Sequence, residues 1–162
     1  MYKIMVVEDD EVISKKLEAF LKSWNYSVLK VADFYTVLDA FHTFNPDLVL
    51  MDITLPYLNG YLWTEKIRLE SSVPIIFISS ATDNMNVVMA ISKGADDFIC
   101  KPFDLNVLAA KIMALLRRTY DFIGNKNWNN SQAIKNLRNG KTLNNFSIMF
   151  DEAIDCVKGL DI

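Results

Sequence analysis

Five short apolar runs punctuate the chain: "YKIMVV" at 2–7, "YSVLKV" at 26–31, "DLVLMD" at 47–52, "PIIFIS" at 74–79 and "DFICK" at 97–101. Their near-continuous apolar character, without polar alternation, is that of strands buried on both faces. Between them apolar positions return at helical spacing. The window 11–24 puts Val12, Ile13, Leu17, Phe20 and Leu21 on one face, and further windows cover about 34–44, 60–70, 84–93 and 104–119. Asn45-Pro46, Asn59-Gly60, Gly94 and Asp104 stand where such elements should start or stop. Parallel neighbours need right-handed crossovers through helices, so the alternation predicts an α/β fold: a doubly wound, five-stranded parallel sheet with five helices, ending near residue 119.

Ligands of such sheets bind outside the carboxyl ends of the strands. Glu8, Asp9 and Asp10 follow the first run, Asp52 ends the third, Ser79 and Ser80 end the fourth, and Lys101 ends the fifth. Singly, each has a plain reading as a solvated turn or a helix start, where acids are favoured anyway. Together they predict a shallow pocket of carboxylates, a hydroxyl and an ammonium. Clustered carboxylates repel, and an all-oxygen set that leaves room for water suits Mg²⁺, with Glu8, Asp9 and Asp52 as ligands. Asp52, kept ionised by the metal and Lys101, is then a nucleophile toward phosphorus, with Ser79 donating to a phosphoryl oxygen.

Composition narrows the classes. The 162 residues are 51% hydrophobic, enough for one domain with a sizeable core and about 40 residues over. A net charge of −3 without a basic run gives no footprint for nucleic acid. No apolar stretch nears the roughly 20 residues of a membrane span, and a strand pattern begins at once, so no membrane insertion and a cytoplasmic location are expected. Cys100 and Cys156 lack CxxC spacing and read as free thiols; His42, the one histidine, reads as a helix-surface residue.

With "VVEDDE" at 6–11, "LVLMDITLPYLNG" at 48–60, "PIIFISSA" at 74–81, "GADDFICKPF" at 94–103 and "LLRR" at 115–118, the chain resembles the receiver domain of two-component response regulators, a flavodoxin-like fold, over about residues 2–119. The "GADDFICKPF" and "LLRR" forms resemble the OmpR-type subfamily. The stretch from Pro74 to Ile112 is further similar to regulators that respond to bacitracin and other cell-wall-active peptides. The resemblance implies Asp52 as phosphoacceptor from a sensor histidine kinase, and Glu8 and Asp9 as Mg²⁺ carboxylates with the Thr54 carbonyl completing the site. It also implies Lys101 as the conserved-type lysine, a cis bond before Pro102, Ser79 as the switch hydroxyl and Phe98 as the switch aromatic. Such a protein is no enzyme beyond assisting its own phosphorylation and dephosphorylation. Ser80 stands where the family usually has Ala, and Phe98 lacks the hydroxyl of a Tyr.

The resemblance also implies a homodimer through the fourth helix, fifth strand and fifth helix. There "MNVVMAI" at 85–91 is apolar nearly all round, which predicts a covered outer face. Val87, Ile91, Val107, Lys111 and Arg118 are the expected contacts, with Asp96 and Asp97 pairing with Lys111 and Arg118 of a second subunit. Beyond 119 the pattern fades into an Asn-rich linker at 120–142. "LNNFSIMF" and "AIDCVKGLDI" within 143–162 read as a hairpin resembling the start of a winged-helix DNA-binding domain. A complete effector of that kind needs roughly 100 residues, so DNA binding is expected only of a longer form. The alternative is a single-domain receiver acting through protein contacts. A flavodoxin-like electron carrier is disfavoured by "EDDE" where a flavin phosphate would sit, and a haloacid-dehalogenase-type phosphatase by a nucleophile on the third strand rather than the first.

Overall fold

The computed structural model describes residues 1–80 and 92–121. Five strands, β1 (Lys3–Val7), β2 (Ser27–Lys30), β3 (Leu48–Asp52), β4 (Ile75–Ser80) and β5 (Asp97–Lys101), form one all-parallel sheet in the order β2-β1-β3-β4-β5. The described helices are α1 (Glu11–Ser23), α2 (Val37–Phe44), α3 (Gly60–Arg68) and α4 (Leu105–Leu116). The last is the fifth in the sequence prediction, because the predicted helix at 84–93 falls almost wholly on residues outside the described ones. So do the expected hairpin at 143–162 and nearly all of the linker.

Alternation along each strand divides the core. Met5, Val7, Val49, Met51, Ile75 and Phe77 face α2 and α3, which contribute Val37, Phe41, Trp63 and Ile67. Ile4, Val6, Leu48, Leu50, Ile76 and Ile78 face the other way, onto Leu17 and Leu21 of α1 and Leu108, Ile112 and Leu115 of α4. Both faces of the sheet are thus covered, as continuous apolar runs require, and each fully buried Leu or Ile contributes about 1.5–3 kcal/mol. Val12, expected on the inner face of α1, is exposed instead. Its position in the first turn, beside Asp10, lies beyond the strand ends where there is no sheet to pack on.

Local chemistry sets the helix ends. The Asp10 carboxylate caps α1 by accepting from Val12 N (2.9 Å) and Ile13 N (3.2 Å), Asn59 caps α3 through Leu62 N (3.0 Å), and Asp104 caps α4 through Asn106 N (2.7 Å). After α4 the chain winds on as a wider π-type turn, Arg117–Asp121. There the Tyr120 hydroxyl donates to Asp47 O (2.7 Å) and the Tyr2 hydroxyl to the Asp121 carboxylate (2.8 Å), so packing on the domain continues through residue 121.

Candidate functional site

The β1 and β3 strands are neighbours, which brings Glu8, just past the end of β1, beside Asp52 at the end of β3. Lys101 ends β5, one strand further off across β4, and its four-carbon stem spans that strand. Its ammonium donates to Glu8 Oε1 at 2.7 Å and Asp52 Oδ2 at 3.1 Å. The other oxygen of Asp52 accepts from Thr54 N at 3.2 Å. Glu8 and Asp52 are each 3% exposed, whereas Asp9 is open to solvent. The peptide bond between Lys101 and Pro102 is cis.

Three carboxylates, from Glu8, Asp9 and Asp52, each place an oxygen within 4.8 Å of the others. The cost shows in their protonation. Burial, then the nearby Asp52, push the Glu8 carboxyl up to about 8, against the opposing pull of Lys101. Burial also raises Asp9, helped by Asp52 and opposed by its own backbone hydrogen bond and Lys101. For Lys101 burial works against the charge, but the hydrogen bond to Glu8 and the negative charge of Asp52 outweigh it and the ammonium pKa is raised. One lysine is shared by two buried acids, and Glu8 Oε2 is buried without a hydrogen-bond partner among the described residues. An oxygen in that position invites a cation, so the donor set fits the hard, oxygen-preferring Mg²⁺.

Ser79 is buried at the same strand ends, in register with Cys100 and one residue beyond the Asp52–Ile78 pair. Its hydroxyl donates to Ser80 O at 3.1 Å. Phe98 is 2% exposed, its ring already inside the core in register with Phe77.

The charged residues expected at a dimer face have intrachain partners. Asp97 Oδ1 accepts from Lys111 Nζ at 3.2 Å, and Asp96 Oδ2 from Arg68 Nη2 at 2.7 Å and from Ile75 N at 2.8 Å. Intersubunit pairs are thus not needed to neutralise these acids: α3 brings Arg68 to the start of β5, and Lys111 lies on the turn of α4 that covers β5. Arg118 is exposed, its Nε donating to Ala114 O at 3.4 Å, and Val107 is 49% exposed. Val87 and Ile91 lie outside the described residues.

Sequence reasoning missed Arg68. Its guanidinium also donates to Gly94 O (2.9 and 3.2 Å), Val73 O (2.6 Å) and Ser71 O, tying α3 to the turn before β5, while Glu65 of the same helix pairs with Lys93. Gly94 sits at φ +102°, a left-handed conformation that glycine adopts freely. Cys100 corrects the free-thiol expectation at that position, since it is disulfide-bonded.

An all-parallel sheet ordered 2-1-3-4-5, with three acids and a lysine gathered at its carboxyl edge, defines a doubly wound α/β module of the flavodoxin-like receiver type. The chain belongs to the response regulator receiver domain family, whose model matches residues 4–113. It is 44% identical over 120 residues to the response regulator protein GraR of Staphylococcus epidermidis, and 43% identical to GraR of Staphylococcus aureus. In each case the match covers 74% of this chain and 54% of the relative, so the chain spans about half the length of those curated relatives. Among solved structures, it resembles the N-terminal domain of the nisin resistance regulator NsrR, described as a lantibiotic response regulator. That match has 51% identity and a TM-score of 0.68, and covers 72% of this chain and 99% of that one. No helix among the described residues is long and apolar enough to cross a membrane.

Proposed function

We propose that the chain is switched by phosphorylation of Asp52. The observation that carries this reading is the half-buried Lys101 ammonium held between the buried carboxylates of Glu8 and Asp52, beside a Glu8 oxygen with no hydrogen-bond partner among the described residues. An Asp52 oxygen attacks the phosphorus of a phosphohistidine on a sensor kinase; the P–N bond breaks, the imidazole leaves, and an acyl phosphate remains. Lys101 neutralises the transferring group, the Thr54 N–H holds the second Asp52 oxygen, and Ser79 turns from Ser80 O to a phosphoryl oxygen. Glu8, Asp9, Asp52 and the Thr54 carbonyl would hold Mg²⁺, which supplies positive charge to the same oxygens. No other substrate is turned over, so the protein is not an enzyme in the ordinary sense.

The GraR relatives support a response regulator with residues 1–119 as receiver, and the NsrR domain, from a lantibiotic response regulator, supports control of transcription in response to cell-wall-active peptides. The phosphorylated receiver pairs with a second copy through the face that includes Val107, Asp97 and Lys111, with Val87 and Ile91 as the apolar contacts expected from sequence. The test is intact mass after exposure to acetyl phosphate. One phosphoryl group per chain is expected, dependent on Mg²⁺ and absent from Asp52→Asn, whose amide is not a nucleophile. Phosphorylation of Asp52→Asn at the parent's rate overturns the assignment.

A further inference from the structure

Two tyrosines that take no part in the chemistry above meet between loops that leave the carboxyl ends of two strands. Tyr35 follows β2 and Tyr57 follows β3, and their rings stack with centroids 3.3 Å apart and planes 24° from parallel. Because β1 lies between β2 and β3, a contact between the loops that leave those two strands crosses the end of β1, where Glu8 and Asp9 stand. Strands two places apart are about 9.5 Å apart, so both loops must lean inward to touch.

The flanking residues show how the rings are placed. Phe34 packs on the core and turns Tyr35 outward, with Tyr35 N held by the Asp33 carboxylate at 2.9 Å. Leu55 and Leu58 pack on the core and turn Tyr57 outward. Tyr57 is the centre of a three-residue turn closed by Leu58 N to Pro56 O at 3.0 Å, and its φ is +71°. A positive φ in such a turn is strained for any residue with a Cβ, and persists only where the surroundings hold it. Glycine would take it freely. A strained tyrosine thus stands where strain could have been avoided, its ring against Tyr35. Each ring is exposed on its far side, Tyr35 at 64% and Tyr57 at 62%, so the pair adds little to the core.

We propose that Tyr35 and Tyr57 form a gate across the β1 side of the phosphorylation site, closed in this structure, that limits how fast small phosphoryl donors and water reach Asp52. The gate rests on Asp52 being the phosphoacceptor. Two steps pass through it. In the forward step an Asp52 oxygen attacks the phosphorus of an acyl phosphate, the P–O bond to the donor breaks and a carboxylate leaves. In the return step water attacks the phosphorus of phospho-Asp52, the P–O bond to Asp52 breaks, and inorganic phosphate and the free carboxylate separate, the water's proton passing to solvent. Opening the gate speeds both, which damage to the site would not do.

The experiment follows intact mass of the whole chain with acetyl phosphate and Mg²⁺, and then after donor removal, for the parent, Tyr35→Phe, Tyr35→Ala and Tyr57→Gly. Tyr35→Ala and Tyr57→Gly are expected to raise both the gain and the loss of phosphoryl roughly fivefold, the scale of one aromatic pair, while Tyr35→Phe keeps the stack and stays within about twofold of the parent. Tyr57→Gly should do so without lowering the urea midpoint, since glycine relieves the turn. Unchanged or slower rates in both opened variants, with the parent phosphorylated normally, overturn the gate alone. A parent that takes up no phosphoryl group overturns the Asp52 reading and the gate with it.

Discussion

Replacing Gly60 by Ala tests how tightly the end of β3 is built. Gly60 is buried at the first position of α3, and its N–H donates to Ile53 O at 2.8 Å. A Cβ there would lie 2.2 Å from the Asp52 carbonyl oxygen and 3.0 Å from both the Asp52 carbonyl carbon and the Ile53 Cα. All three obstacles are backbone, and two belong to Asp52, the proposed nucleophile. No rotamer change removes the overlap, so α3 must lift or the end of β3 must move. Overpacked cores lose roughly 1–3 kcal/mol, and a rigid backbone obstacle puts this change at the upper end, about 3 kcal/mol. With a urea slope near 2 kcal/mol per molar, the unfolding midpoint should fall by about 1.5 M. Displacing Asp52 against Lys101 by even part of an ångström should also slow phosphoryl uptake, by up to about 10²-fold. Urea titration followed by tryptophan fluorescence gives the first number and intact mass the second. A midpoint within about 0.3 M of the parent, together with a parent-like rate of uptake, would refute the reasoning.

Arg68→Met keeps the stem of the side chain but strips hydrogen bonds from Gly94 O, Val73 O and Asp96; because the pair with Asp96 is partly solvated, a loss of about 2 kcal/mol in chemical denaturation is expected, and a change under about 0.5 kcal/mol would count against Arg68 as the tie between α3 and the turn before β5. Lys101→Met leaves Glu8 and Asp52 buried without their cation, so thermal melts should show a destabilised protein that Mg²⁺ restores more than it does the parent, with phosphoryl uptake cut by roughly 10²-fold or more. The Tyr120 hydroxyl is pushed up to about 12, first by burial and then by the charge of Asp47. Between pH 10 and 12 the unfolded chain therefore binds fewer protons than the folded one at this residue, and stability should fall as pH rises through that interval; ultraviolet titration showing every tyrosine ionising near pH 10 in the folded protein would contradict it.

The sheet and the heart of the site were legible because one physical requirement writes both. Strands buried on two faces must be continuous apolar runs, so a carboxylate at the end of one, such as Asp52, stands out against its neighbours, and parallel topology then places Glu8, Ser79 and Lys101 at the same edge. Asp104 was legible as a cap, and Asn59-Gly60 as a boundary, from local chemistry. Pairings between elements were not: nothing in the spacing of Arg68 and Asp96 announces that α3 ends beside the start of β5, and Lys111 could be assigned to a second subunit because sequence does not say which chain's Asp97 it meets. The ring of Phe98 and the exposed side of Val12 depend on which side of a strand or helix end is still covered, a matter of a few ångströms that periodicity does not resolve. Tyr35 and Tyr57 escaped notice because an aromatic in a loop carries no pattern; only the apolar neighbours Phe34 and Leu58 turn them outward.

Helix α3 is a strut with both feet fixed. Its nine residues span roughly 13 Å, about the length of the strands it crosses. At one foot Gly60 rests directly on the carbonyl of Asp52; at the other Glu65 and Arg68 grip Lys93, Gly94 and Asp96. A rod braced in this way transmits a push at one end as a displacement at the other, with no side chain having to change its rotamer along the way. Movement of the backbone at the acid would therefore be felt on the far side of the domain, where the chain turns into its last strand.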